Sequence, residues 1–121
     1  MGQYHQVVNL DKKQYLHPHK FGDGLKMMEF GSSGQGTMMG LTVLIACSHN
    51  RGGGDIRSDD PLLGSWSGDR IAIIGDYSEE NDIVGIDAST IYDDESYEDI
   101  SDQVVKLLVD AEMMITPTRF L

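Results

Sequence analysis

One stretch constrains the fold more than any other: GSSGQGTMMGLTVLIACSH, from Gly31 to His49. It holds the longest apolar run, and from Phe30 to Gly54 there is no Asp or Glu, although the chain carries 20 of them. Met38, Leu41, Val43, Leu44, Ile45 and Ala46 would surround a helix axis on most sides, and a helix apolar all round is a buried one. The stretch therefore predicts a buried central helix from Thr37 to Ser48. Thr37 is placed to cap it, because a hydroxyl there accepts from an unpaired backbone N–H. Gly40 lowers helix propensity by about 1 kcal/mol relative to Ala, which points to close packing at that position. Cys47 lies inside the run and is expected to be a small core residue rather than a nucleophile. As the one cysteine it excludes an internal disulfide and fits a reducing cytosol.

A chain of 121 residues is expected to form a single domain spanning 1–121. At that size roughly two-thirds of the surface is buried on folding, enough for a core without metal or disulfide. Gln3 to Leu10 predicts a first strand and Gln14 to His17 a second, joined by Asp11-Lys12-Lys13 as a hairpin, with Pro18 demoting the second to an edge or ending it. Leu25 to Phe30 predicts a short helix. Three consecutive glycines and Pro61 predict a loop from Asn50 to Gly64. Ser65 to Tyr77 predicts the best strand, with its core at Arg70 to Ile74, and Ile83 to Ile86 is expected to pair back on it. Ile91 to Asp99 is expected to be acidic and irregular. Val104, Val105, Leu107, Leu108, Ala111 and Ile115 recur at helical spacing, so Ile100 to Met114 predicts an amphipathic helix. Ser96, Asp99 and Ser101 compete to cap it, and Pro117 would end it. The class expected is α+β: a mainly antiparallel sheet of three to five strands on the buried central helix and the C-terminal helix.

The formal net charge is −11 and is unevenly placed. Between Asp76 and Glu112 thirteen acids face one base, Lys106. Nucleic-acid binding through phosphates needs clusters of Lys and Arg, and the chain has none. No basic, apolar leader begins the sequence, and the longest apolar segment falls short of the ~20 residues that span a bilayer. A cytoplasmic protein off the membrane is the expectation.

The runs MGQYHQVVNLDKKQYLHPHKFGDGLKMMEFG and GSWSGDRIAIIGDYS resemble a family of small bacterial and phage proteins. The resemblance covers about two-thirds of the chain and implies no particular activity. It implies a setting in which small acidic proteins act as inhibitors or ligand traps.

Four groups of residues could carry chemistry. The Gly/Ser turn before the central helix, with Ser33, Gly34, Gly36 and Thr37, could hold a small anion or nucleotide on exposed N–H groups, with Arg51 and Trp66 completing the pocket. It lacks the lysine and the spacing of a phosphate-binding loop. His17, His19, Cys47 and His49 could in principle supply a zinc set, but spacings of two do not put ligands on one helix face, so neither metal nor cofactor is expected. A hydrolase using His17 or His19 is the weakest reading. The acidic segment offers Asp76, Glu79, Glu80, Asp82, Asp93, Asp94, Glu95, Glu98 and Asp99 as a docking surface for a basic partner protein. The leading expectation is thus a non-enzymatic acidic binding protein, for example an inhibitor of a nucleic-acid-handling or defence complex. The anionic-nucleotide binder comes second.

Overall fold

The computed structural model describes residues 2–117. It is an α+β fold built on a four-stranded mixed sheet with three helices. The strands are β1 (His5–Asn9), β2 (Gln14–Leu16), β3 (Ile71–Gly75) and β4 (Glu98–Asp99), in the order β3-β1-β2-β4. β1 runs antiparallel to both β2 and β3, as expected of the hairpin; β2 and β4 are parallel. The helices are α1 (Met27–Gly31), α2 (Thr37–Ile45) and α3 (Ser101–Asp110).

All five residues of β1 are buried, because the central strand is covered on both faces. Alternation along the strand sends Val7 one way and Val8 the other. Val7 and Leu16 join Phe21, Phe30, Leu44, Trp66, Val104 and Leu108 in the larger core, beneath the helices. Val8 joins Ile74 and Ile91 in a smaller core on the opposite face, covered by the acidic segment after β3. Register keeps the two sets apart: Val7 pairs with Leu16 and Ile73, Val8 with Tyr15 and Ala72.

The central helix departs from expectation in two ways. It stops at Ile45, and it is wet on one side. Thr37, Gly40, Val43 and Leu44 are buried, Met38, Met39 and Leu41 are half-buried, and Thr42 and Ile45 face water. The early stop has a hydrogen-bonding cause. The carbonyls of Val43 and Leu44 accept from the backbone N–H groups of Gly64 and Trp66, at 2.9 and 2.8 Å, and that of Ile45 accepts from the Ser67 hydroxyl. Those oxygens would otherwise serve residues 47 to 49. Cys47 consequently lies outside the helix and is exposed, not in the core. Nor is Thr37 the cap: Gly36 holds that position and Thr37 opens the helix.

Other boundaries also moved. The strand expected from Ser65 shrinks to Ile71–Gly75, because Pro61 to Gly68 forms consecutive turns that drop Trp66 into the core. Its indole N–H donates to Gln14 Oε1 at 2.8 Å, satisfying the buried polar atom. Ile83 and Ile86 bridge to each other rather than to β3. Within the stretch expected to be irregular, Glu98 and Asp99 add a short parallel strand to β2. α3 ends before Pro117 is reached. Glu112, at φ 60°, is left-handed, and Glu112 and Met113 donate to the carbonyls of Val109 and Leu108. That pair of bonds closes a helix C-terminus.

Candidate functional site

The turn Ser33–Thr37 does not present a free anion site. The backbone N–H and the hydroxyl of Thr37 both donate to Asp23 Oδ2, each at 2.7 Å. An acid fourteen residues upstream thus fills the place an anion would take. A Cβ on Gly36 would run into the same carboxylate, so this glycine admits Asp23 rather than a ligand. Trp66 is fully buried and cannot stack on a base. Arg51 donates its own N–H to Asp55 and Nη1 to Ser48 Oγ. Ser33 and Gly34 do line a cleft of about 450 Å³ beside α2, with Met38, Met39, Val43, Ile56, Leu108 and Met113; Gly36, Thr37, Arg51 and Trp66 are not among its walls. The nucleotide pocket expected from sequence is therefore not assembled. The cleft also explains why α2 is wet on one side.

The histidines divide. The His17 and His19 rings lie 5.3 Å apart, and His17 Nδ1 accepts from the His19 backbone N–H at 3.3 Å. Burial lowers the His17 pKa below 6.5, against the pull of Asp99. The backbone N–H of His17 donates to Ser101 Oγ at 2.7 Å, and Ser101 is fully buried, so its hydroxyl is not open to a substrate. Among the described residues no three His, Cys, Asp or Glu side chains are grouped to hold a metal ion, so His17, His19, Cys47 and His49 do not form the zinc set.

The acidic residues are not uniform either. Several organise their own backbone. Asp76 Oδ1 accepts from the Tyr4 N–H, Asp82 from that of Glu79, and Asp94 Oδ1 from both the N–H and the hydroxyl of Ser96. Asp99 leaves the docking set. It is half-buried, pairs with Lys20 at 2.8 Å, and accepts from the Ser101 N–H at 2.9 Å. Burial pushes its carboxyl up, but Lys20 and Ser101 outweigh that and hold it below 3.8.

Asp93, Asp94 and Glu95 do something further. They line a concavity of about 340 Å³ whose other walls are Gln6, Tyr15, Ile91, Tyr92 and Tyr97. Gln6 comes from the central strand and shares the Val8 face of the sheet. Burial raises the pKa of all three tyrosines, and the acids beside them (Asp99 near Tyr15, Asp76 and Asp93 near Tyr92, Asp94 near Tyr97) raise it further. They stay phenols at neutral pH. Hydrogen bonds from Ser96 hold Asp94 below the usual carboxylate value, so it stays charged. Lys13 Nζ stands 5.9 Å from the Tyr97 ring centroid. Gln6 and the tyrosines are missing from the residues expected from sequence. The available signal was Gln6 itself, a polar residue at an inward position of the strand HQVVN.

A scan against protein-family models, a search of curated proteins and a search of solved structures each return no match. No helix among the described residues is long and apolar enough to cross a membrane.

Proposed function

We propose that the chain is a non-enzymatic binding protein that docks on a basic partner protein through the acidic face after β3. The partner class that fits is a protein whose own surface is built to hold nucleic-acid phosphates, within a nucleic-acid-handling or defence complex. The observation that carries this reading is the concavity at Ile91–Tyr97, where acids of the predicted surface converge on an aromatic wall. Fields of one sign steer an oppositely charged partner and fix its orientation more than they add affinity. Asp76, Glu79, Glu80, Asp82 and Glu98 would supply the surrounding field.

Nona-arginine serves as the probe. Binding should weaken steeply between about 50 mM and about 500 mM salt, as the screening length shrinks from over 10 Å to under 5 Å. The triple reversal Asp93→Lys, Asp94→Lys, Glu95→Lys should weaken binding at least ~10-fold more than an equal reversal elsewhere, at Asp59, Asp110 and Glu112. Equal losses from the two triples would leave only bulk charge and overturn the reading.

A further inference from the structure

We infer that β3 is the seam of a symmetric dimer, its free edge pairing antiparallel with β3 of a second copy of this chain. The inference is independent of the docking reading, and either can fail alone.

The two edges of the sheet are unlike. β4 closes one edge with two residues, both acids. A strand so short and charged is a poor template for another chain. β3 forms the other edge with five residues, Ile71-Ala72-Ile73-Ile74-Gly75, which carry no charge and no proline. Its register with β1 runs without a bulge. Ile73 is 41% exposed there. Proteins ordinarily guard such an edge with lysine, proline or a bulge, and β3 has none of these.

The ladder shows what the edge offers. Arg70 O accepts from the Leu10 N–H, and the Asp76 N–H donates to Tyr4 O, each at 2.9 Å. Antiparallel partners alternate between bonded and non-bonded pairs, so Ala72 and Ile74 also turn their backbone groups towards β1. Ile71, Ile73 and Gly75 turn theirs outwards. Ser78 already satisfies Gly75: its hydroxyl accepts from the Gly75 N–H and its own N–H donates to the Gly75 carbonyl, each at 3.0 Å. The N–H and C=O of Ile71 and Ile73 have no partner among the described residues.

Those groups select the occupant and the register. With a two-fold axis at Ala72, Ile71 meets Ile73 of the second copy, and each such pair exchanges N–H···O bonds in both directions. Every free group is then used. An axis at Ile73 would set Ile71 against Gly75, whose groups Ser78 holds. An axis at Ile71 would set Ile73 against Asp69, whose N–H donates to Trp66 O at 3.1 Å. The side chains agree with the axis at Ala72. Ile73 gains an apolar neighbour in Ile71 of the second copy, and the small Ala72 meets itself. Arg70 stands opposite Ile74 and one diagonal step from Asp76 of the second copy, on the same face and within reach of a long side chain. No like charges stand opposite each other, since Asp69 faces Gly75 and Asp76 faces Gly68. Among the described residues, β3 itself is the strand that offers the matching set. Such an isologous pair closes on itself, because the edges it leaves are the two acidic β4 strands.

The test is sedimentation equilibrium of the full chain carrying Cys47→Ser, so that no disulfide can mimic the dimer. The seam is short and belongs with weak interfaces, so the range is about 10 µM to about 1 mM. Salt at about 300 mM screens the repulsion between two copies of net charge −11. A monomer–dimer equilibrium with no larger species is expected. Ile73→Pro removes an outward N–H that the β1 ladder does not use, and should weaken the dimer at least ~10-fold. Should that variant fail to fold, Ile73→Lys, which puts a charge on the edge, should weaken it comparably. Air oxidation reads the register. In the Cys47→Ser background, Ala72→Cys meets itself at about 4.5 Å between Cα atoms, within disulfide range, and should crosslink ~10-fold faster than Ile73→Cys. A chain that stays monomeric across the range overturns the inference. So does a dimer indifferent to the Ile73 substitution that folds, or one in which the two cysteine variants crosslink equally fast.

Discussion

The two faces of the sheet are made differently. On the helical face Val7 and Leu16 meet a dry layer of large side chains, with Leu44, Trp66, Val104 and Leu108 fully buried. On the other face the buried apolar cluster is just Val8, Ile74 and Ile91, ringed by half-buried tyrosines and then by carboxylates. The first face buries the larger set of apolar side chains. The second ends in a concavity lined by Gln6, Tyr15, Tyr92 and Tyr97. A central strand covered on both sides lets one small chain separate these tasks, because alternate residues of β1 belong to different layers.

The sharpest way to break this comparison is a pair of truncations. Leu108→Ala should cost about 3–4 kcal/mol, and Ile91→Ala about 2 kcal/mol or less, because the loop layer can collapse around the smaller side chain. Urea midpoints at constant slope would measure both. Equal costs would mean that the faces are equally packed. Next comes Gly40→Ala. A Cβ there would lie 2.8 Å from Phe21 Cε2 and 3.2 Å from Val104 Cγ1, so overpacking should cost about 1–3 kcal/mol despite the gain in helix propensity. Gly34→Ala, with open space around the added Cβ, should be near neutral in the same urea series. Asp23→Ala should cost about 1 kcal/mol through loss of the α2 cap, and Asp23→Asn less.

The smallest effects are in pH, at the seam where Asp99 joins the two layers. Its folded pKa is below 3.8, so it contributes stability above that value that fades as pH falls through the folded pKa. Asp99→Asn should flatten this acid limb. The His17 pKa is also depressed, here because burial disfavours the charged ring, so its contribution is lost as pH falls below about 6.5. His17→Gln should remove that earlier slope from a series of melts at stepped pH.

The fold class, the hairpin, the short α1 and the apolar face of α3 were legible because periodicity and turn residues are local signals. Gly40 also read correctly: a glycine inside an apolar helix marked the close approach of Phe21 and Val104. What could not be read was non-local. The carbonyls of Val43 and Leu44 are claimed from Gly64 and Trp66, and the α2 N-terminus from Asp23. No window of sequence around the helix contains those partners. The acid-free run from Phe30 to Gly54 suggested an open anion site for the same reason, since the acid that closes it lies outside the run. Asp93, Asp94 and Glu95 stood out as charge, but the tyrosines and Gln6 come from three separate segments that only the sheet brings together.

Cys47 sits between Ala46 and Ser48, both of which border the α2 cleft, and is exposed. With one accessible thiol per chain the protein is monovalent toward sulfur chemistry. Air oxidation can join molecules in pairs but cannot build anything larger, and a maleimide dye attaches at a single known place. The same atom that a buried helix would have hidden becomes a built-in handle, and a reason to keep reductant in any measurement of molecular size.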